Sequence, residues 1–119
     1  IFNMKKSEDP IGSSLYSHIK NNKLESSGSS ITEGIGTGRI TKNFDKALVE
    51  DAFQTDDTEA LNLVYDLIEK QKIVLGGSSG INIAGAIKLA KKMGPGKTIV
   101  TILCDHEKGM LAKFLTKSF

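Results

Sequence analysis

Two apolar runs separated by a stretch of helical pattern make residues 73–104 the most restrictive part of this sequence. Residues 73–75 (IVL) and 98–104 (TIVTILC) have the almost continuous apolar character of strands that are covered on both faces. A strand, a crossover helix and a second strand form a parallel, right-handed unit in nearly all known cases. The sequence therefore predicts an α/β fold with a parallel sheet, in which both strands end at the same edge.

The segment between the two runs carries the signals of a single helix. Ser79 is its predicted N-cap, and Gly94, Pro95 and Gly96 end it. Apolar residues at helical spacing predict a buried stripe made of Ile83, Ala86, Ile87 and Ala90. Gly85 permits a close approach of another element, at some cost in helix propensity.

Polar residues follow each predicted strand. Gly77, Ser78 and Ser79 come after the first strand, and Asp105 and His106 come after the second. In open parallel sheets ligands bind outside the carboxyl ends of the strands, where hydroxyl groups and helix N-terminal amides form a polar pocket floor. A simpler interpretation is that the glycines only make the turn and that Ser79 only caps the helix.

The rest of the chain contains weaker signals. Residues 5–34 are polar and predict loops with one short helix around residues 14–20. Asp56 and Glu59 match a capping box. The residues that follow predict a helix with one buried face, since Leu61, Val64, Tyr65 and Ile68 recur at its period.

Composition places the chain among ordinary proteins that fold in water. Its 119 residues suffice for a single domain with a modest core. The formal net charge is only +2, and the basic residues are scattered among acids without interleaved aromatics, which argues against nucleic-acid binding. The one cysteine and the absence of a signal-like start favour the cytoplasm. No apolar run approaches the roughly 20 residues that cross a bilayer.

Several short motifs do not support the function that they first suggest. The stretch GPGKT at 94–98 is not a phosphate loop, because Lys91 occupies the position of its first glycine and the order is helix to strand. The stretch EGIGTGR at 33–39 does not fit a dinucleotide fingerprint, although it can line a cleft as a glycine-rich loop. His18, His106 and Cys104 lack the spacing of zinc ligands, so no metal site is predicted. Asp56 and Asp57 stand at the start of a predicted helix, where the helix dipole stabilises acidic residues. They are therefore interpreted as capping residues.

Three stretches in this order nevertheless resemble one known family. DPIGSSLY, GSSITEGIGTGRIT and LGGSSGINIAGAIKLAKKMGPGKTIVTILCD are similar to the C-terminal part of cysteine synthases (O-acetylserine sulfhydrylases) and of the related cystathionine β-synthases. The similarity runs from about Asp9 to Asp105. It implies part of the tryptophan synthase β-like fold (fold type II) of pyridoxal 5′-phosphate enzymes, as one incomplete domain over residues 1–119.

The resemblance also implies roles for individual residues. Ser78 aligns with the serine that hydrogen-bonds the pyridine nitrogen of the cofactor. Gly77 and Asp105 lie with it on the cofactor side, and the loop of Gly34, Ile35 and Gly36 borders the substrate. A neutral hydroxyl does not hold the ring nitrogen protonated, which suits β-elimination and β-replacement, here of O-acetylserine with sulfide. An amino-acid substrate and a homodimer are the partners that the family implies.

Two departures from the family pattern limit what the chain does alone. The Schiff-base lysine of a Lys-Asp-Arg-like motif and the glycine- and threonine-rich phosphate loop belong to the family's first half, and neither motif occurs in these 119 residues. After Asp105, members continue GTRY, whereas this chain reads HEKGMLAKFLTKSF, which a local reading-frame slip would explain. In that segment we expect residues 110–114 to form a helical turn and residues 107–109 to make no ligand contact.

Three functions therefore remain open from the sequence. The chain is part of a cysteine synthase whose other half supplies the missing motifs, a non-catalytic remnant, or a domain that binds a partner. Without neighbouring segments, we expect apolar surface in TIVTIL and at Ile83 and Ile87 to be less covered than in a complete domain.

Overall fold

The computed structural model describes residues 5–32 and 35–104. Asp105, His106 and the divergent segment after them, together with Glu33 and Gly34, lie outside the described residues, as do the expectations for residues 107–114. In chain order the elements are β1 (Lys6–Pro10), α1 (Leu15–Asn21), α2 (Lys42–Asp45), β2 (Asp51–Thr55), α3 (Asp57–Gln71) and α4 (Gly77–Met93). The chain is α/β, as the sequence predicts.

The sheet consists of two parallel strands that the sequence analysis did not find. β1 pairs with β2 in the register Lys6↔Asp51 to Pro10↔Thr55. Both strands are rich in charged and polar residues, and therefore lack the apolar run by which a buried strand is recognised. Ala52 and Thr55 of β2 are nevertheless buried, because α1 and α4 both pack against this strand.

The helix expected after Asp56 is confirmed as α3. The carboxylate of Asp56 accepts a hydrogen bond from the backbone N–H of Glu59 at 2.9 Å, which is the N-cap interaction predicted by the motif. Ala60 and Val64 are buried on the face that contacts α4. The Glu59 side chain forms an ion pair with Lys88 at 2.9 Å and thereby links α3 to α4.

The predicted start and buried face of α4 are both wrong. The helix begins at Gly77 with Gly76 as its N-cap, so Ser79 is the third helical residue and not the cap. Its buried residues include Ile81, Ala84 and Gly85. The predicted stripe is only partly covered: Ile83 and Ala86 are intermediate, while Ile87 and Ala90 are exposed.

Small residues explain this choice of face. A Cβ atom on Gly80 would lie 2.7 Å from the carbonyl oxygen of Ala60 in α3. The two helices are therefore close enough at this point to exclude any side chain at position 80. The contact fixes the position of the first turn of α4 against α3. Ile87, two turns further along the helix, is 37% exposed.

The two strands predicted at residues 73–75 and 98–104 do not form in the described structure. Val100 is 88% exposed and Ile102 is 69% exposed, so residues 98–104 are not covered on two faces as the pattern predicts. A strand becomes stable only when a neighbour pairs with it, and neither segment has one among the described residues. The expected exposure of TIVTIL is thus confirmed, and the fold is an incomplete α/β domain.

Candidate functional site

The turn before α4 is the most buried continuous stretch of the described chain. Every residue from 75 to 81 is buried. Extended backbone at Gly76 (φ −81°, ψ 173°) leads directly into the helix, and Gly80 seats its first turn against α3. The turn therefore holds its side chains in a position fixed by helix packing.

Ser78, the residue with the most specific predicted role, lies in this first helical turn. Its exposed fraction is 6%, and that of the neighbouring Ser79 is 0%. Gly77, also predicted on the cofactor side, is the first helical residue and is buried as well. Asp105, the third predicted cofactor residue, lies outside the described residues.

The glycine-rich loop around Gly36 is fastened to the turn between β1 and α1. The backbone N–H of Thr37 donates to the Ser13 hydroxyl at 2.8 Å, and this hydroxyl donates to the carbonyl oxygen of Thr37 at 3.0 Å. The Ser14 N–H donates to the same carbonyl at 2.9 Å. Gly36 has φ +80°, and a Cβ there would lie 2.8 Å from atoms of Pro10 and Ser13. Both the backbone conformation and the close approach require glycine at this position.

A cavity of about 280 Å³ lies between this loop and its neighbours. It is lined by residues 10–13, 28–30 and 35–38 and by Thr32. The hydroxyl groups of Ser13, Thr32 and Thr37 give it a polar wall suited to a small polar molecule. Ile35 and Gly36, two of the three predicted substrate-loop residues, line it, whereas Gly34 lies outside the described residues. Gly77 and Ser78 are not part of its lining, so the two predicted groups are not joined in this cavity.

Two residues of this region have roles that the sequence analysis missed. Ser13 holds the Gly36 loop, although only its presence in the DPIGSSLY stretch drew attention to it. Asp57, interpreted there as a capping residue, accepts a hydrogen bond from the N–H of Ile31 at 2.8 Å and another from the Ser30 hydroxyl. Asp57 therefore anchors the wall of the cavity to the start of α3.

A buried polar cluster connects the sheet to α4 away from this cavity. The Thr55 hydroxyl donates to Glu8, and Lys88 Nζ lies 2.9 Å from Thr55 Oγ1. Burial raises the pKa of the Glu8 carboxyl to about 7, although the Thr55 hydrogen bond and the charge of Lys88 lower it. Glu8 Oε2 is buried without a hydrogen-bond partner among the described residues. The cluster thus contains a carboxyl group that is largely protonated below neutral pH.

The described residues show neither a membrane-spanning helix nor a group of three or more side chains suited to a metal ion. In the described ranges, no helix is long and apolar enough to cross a bilayer. Over the same residues, no cluster of His, Cys, Asp and Glu has the proximity that a metal site needs.

With this geometry established, comparison with known proteins identifies the family. Residues 5–105 match the family of pyridoxal-phosphate-dependent enzymes. The chain belongs to this family, and the resemblance to the C-terminal part of cysteine synthases and cystathionine β-synthases is confirmed. Its fold is an incomplete version of the fold type II architecture.

Individual relatives agree with this assignment. The cysteine synthase of Dictyostelium discoideum is 39% identical over 121 residues, which cover 93% of this chain and 32% of the relative. The cystathionine beta-synthase of Mus musculus is 33% identical over 108 residues, covering 91% of this chain and 19% of the relative.

A solved structure shows the same fold. The crystal structure of the O-acetylserine-dependent cystathionine beta-synthase from Helicobacter pylori matches with a TM-score of 0.76 and 26% identity, over 92% of this chain and 33% of that one. The chain therefore spans about a third, or less, of the length of the relatives that it matches.

One described residue offers chemistry that one end of the family's cofactor can use. Pyridoxal phosphate presents a pyridine nitrogen, a phosphate and an aldehyde, and each needs a different protein group. The hydroxyl of Ser78 has the chemistry required at the nitrogen, since it donates a hydrogen bond without transferring a proton. A family-type lysine motif and phosphate loop, which would serve the other two groups, do not occur in this sequence.

Proposed function

We propose that this chain forms the C-terminal, ring-binding part of a pyridoxal-phosphate-dependent cysteine synthase, which replaces the acetoxy group of O-acetylserine with sulfide. The observation that carries the proposal is the buried Gly76–Gly77–Ser78 turn at the start of α4, within a chain whose residues 5–105 match the family. Relatives named cysteine synthase support this choice of reaction.

Each candidate residue has a role in this proposal. Ser78 donates a hydrogen bond to the ring nitrogen, and Gly77 keeps the space beside the ring free of a side chain. Bound pyridoxal phosphate supplies an electron sink for the carbanion-like chemistry at the substrate Cα. A neutral Ser78 hydroxyl keeps that sink mild, which favours loss of a β-substituent over more extensive carbanion formation. Asp105 lies on the cofactor side in this proposal.

The loop of Gly34, Ile35 and Gly36 is the proposed substrate side. Ser13 holds the backbone of Thr37, the residue that follows this loop, and the peptide groups of Ile35 and Gly36 can position an amino-acid substrate. The hydroxyl-lined cavity beside it offers groups that can hydrogen-bond the polar ends of the substrate. Loop and turn work together only when the remaining part of the family fold closes the cleft between them.

We further propose that the chain is inactive alone, functions in the cytoplasm, and acts on its amino-acid substrate within a family-type dimer. The absence from this sequence of the lysine and phosphate-loop motifs supports the first point. A polypeptide that carries those motifs must complete the site.

A chimeric enzyme tests the proposal. Residues 5–105 replace the matching segment of the D. discoideum cysteine synthase, and cysteine formation from O-acetylserine and sulfide is measured. We expect the chimera to be active. Ser78→Ala should lower this activity about tenfold or more, because the loss of one hydrogen bond costs about 1.4 kcal/mol in the transition state. Ser79→Ala is the matched control, since it removes a neighbouring hydroxyl with no proposed cofactor contact.

The opposite result would favour a different function. A chimera that folds and binds pyridoxal phosphate but forms no cysteine would favour the alternative, a non-catalytic remnant or partner-binding domain.

A further inference from the structure

The cavity of about 280 Å³ beside the Gly36 loop is lined by neutral groups. Among the described residues that line it, none carries a charged side chain, so its hydroxyl and peptide groups are what a polar ligand meets. A hydroxyl group donates one hydrogen bond and accepts two, and what it offers to a ligand depends on where its proton already points. The directions of the hydroxyl protons therefore decide which ligands this cavity selects.

Asp57 fixes the direction of two of these protons. The Ser30 hydroxyl donates its proton to Asp57, because a carboxylate can only accept. Ser30 Oγ and Thr32 Oγ1 lie 2.6 Å apart, and since the Ser30 proton is already used, Thr32 is the donor in this contact. The backbone N–H of Thr32 also donates to Ser30 Oγ, at 3.1 Å. The hydroxyl of Thr32, which lines the cavity, thus has only lone pairs left to offer a ligand.

The Ser13 hydroxyl is committed in the same way. It donates to the carbonyl oxygen of Thr37 at 3.0 Å and accepts from the N–H of Thr37 at 2.8 Å, so that one lone pair remains. The Thr37 hydroxyl accepts from the Arg39 N–H at 3.3 Å and keeps a proton that can rotate. The hydroxyl groups whose protons are fixed in this wall therefore act as acceptors toward the cavity.

The charge behind the wall favours the same kind of ligand. Asp57 is half-buried next to Ser30, and its second carboxylate oxygen accepts from the Ile31 N–H at 2.8 Å. Over the described ranges, no basic side chain forms an ion pair with Asp57. A primary ammonium group carries a positive charge and three N–H donors, so it complements lone pairs that lie in front of a carboxylate. A carboxylate ligand would meet those lone pairs with its own.

We propose that this cavity binds an ammonium group through the lone pairs of Thr32 Oγ1, and that Asp57 is the positioning residue that makes it select ammonium over carboxylate. That the ligand is an amino acid rests on the proposed function. The preference for its ammonium end follows from the hydrogen bonds of the wall alone.

Nuclear magnetic resonance measures this preference on the full chain without cofactor. Three small probes are titrated at constant ionic strength: methylammonium supplies charge and N–H donors, tetramethylammonium supplies charge alone, and acetate supplies acceptors alone. We expect methylammonium to shift the amide signals of Thr32 and residues 35–38. Its affinity should exceed that of each other probe about tenfold or more, because only methylammonium forms charge-assisted hydrogen bonds with the wall.

Asp57→Asn tests the direction of the protons. The amide oxygen of the new side chain has to face the Ile31 N–H, so its N–H group faces Ser30 and donates to it. Ser30 then donates to Thr32, and the Thr32 proton becomes available to the cavity. We expect methylammonium affinity to fall about tenfold or more and acetate affinity to rise. A merely structural role of Asp57 would weaken the binding of both probes.

Two further variants complete the test. Asp56→Asn removes the same charge from the neighbouring cap of α3, which accepts from the Glu59 N–H, and should leave the preference unchanged. Thr32→Val removes the proposed acceptor with little change in shape, leaves the bond between Ser30 and Asp57 in place, and should lower methylammonium affinity about tenfold. Circular dichroism checks that each variant is folded.

The unmodified chain can overturn the proposal by itself. Equal affinity for methylammonium and tetramethylammonium, acetate bound as tightly as methylammonium, or no response to methylammonium would each contradict it. Methylammonium binding that is unchanged in both Asp57→Asn and Thr32→Val would contradict it as well. The expected preference combined with an inactive chimera would support this inference while contradicting the proposed reaction, and an active chimera without the preference would do the reverse.

Discussion

The Glu8 side chain lies directly on the backbone of Gly85, so that a Cβ atom at position 85 would lie 2.7 Å from Glu8 Cγ and closer still to the carboxylate. This contact seats α4 on β1, and a side chain at position 85 would have to displace the Glu8 carboxylate from its buried position.

Gly85→Ala should therefore destabilise the protein by about 1–3 kcal/mol, the usual cost of overpacking. In an unhindered helix the same change would stabilise by about 1 kcal/mol. Chemical denaturation measures the difference. The control is Gly85→Ala combined with Glu8→Ala, in which the obstruction is gone and alanine should become favourable. Equal effects of Gly85→Ala in both backgrounds would contradict the contact.

The raised pKa of Glu8 predicts a loss of stability as pH increases. Burial raises the pKa to about 7 from an ordinary value of 4.5, so the folded state holds a proton that the unfolded state releases between these values. Lys88, Glu59 and Asp9 are the charged groups that act on Glu8. The buried Asp9, whose pKa burial also raises, contributes in the same direction.

The free energy of unfolding should decrease between about pH 4.5 and pH 7, with the decrease complete somewhat above pH 7. Urea denaturation at a series of pH values measures this. Glu8→Gln, which cannot titrate, should flatten most of the slope. Stability that rises over the same pH range in the unmodified chain would show that Glu8 is ionised in the folded state.

Asp51 joins the start of β2 to two other elements. Hydrogen bonds and ion pairs from Lys20 of α1 and Lys92 of α4 hold the pKa of its carboxyl well below the usual range. Asp51→Asn should lower stability by about 1 kcal/mol, as expected for a paired carboxylate near the surface, and high salt should reduce the difference. Asp66→Asn removes an exposed pair with Lys70 and is the control with little effect. Equal effects of the two substitutions would mean that Asp51 has no special role.

The helices were more predictable than the strands. A capping motif and a regular apolar repeat are local signals, so α3 could be read from Asp56 onward. β1 and β2 could not, because their sequences KSEDP and DAFQT become strands through mutual pairing and cover by α4. At residues 98–104 the error is the opposite one, since a strand was predicted and none forms. The cause is the same, because a segment with a high strand propensity does not form a strand without a neighbour to pair with.

The candidate site, too, could be predicted only in part from the sequence. The GGSSG stretch indicated a special turn, and the structure places that turn in the core at the start of α4. Its N-cap was misassigned because Ser79 is a better cap by residue type than Gly76, whereas packing of Gly80 against Ala60 sets the position of the helix. Ser13 was missed because a serine in a polar loop gives no local indication that it holds a segment far along the chain.

The chain by itself should not capture pyridoxal phosphate at one specific lysine. Its lysines are not in the family's motif, so any reaction with the aldehyde should be weak and distributed over the surface. Incubation with cofactor, borohydride reduction and peptide mapping measure the outcome. A stoichiometric adduct at a single lysine would show that the chain contains its own covalent site.

The proposed hydrogen bond from Ser78 to the pyridine nitrogen of the cofactor is tested most directly by the ¹⁵N chemical shift of that nitrogen. The measurement uses labelled pyridoxal phosphate bound to the chimera that carries residues 5–105. We predict the chemical shift of a neutral, hydrogen-bonded nitrogen. Ser78→Ala should move it toward the value without a hydrogen bond, and Ser78→Asp should move it toward the value of a protonated nitrogen. Ser79→Ala should leave it unchanged. A protonated nitrogen in the unmodified chimera, or a shift that does not respond to Ser78→Ala, would contradict the claim.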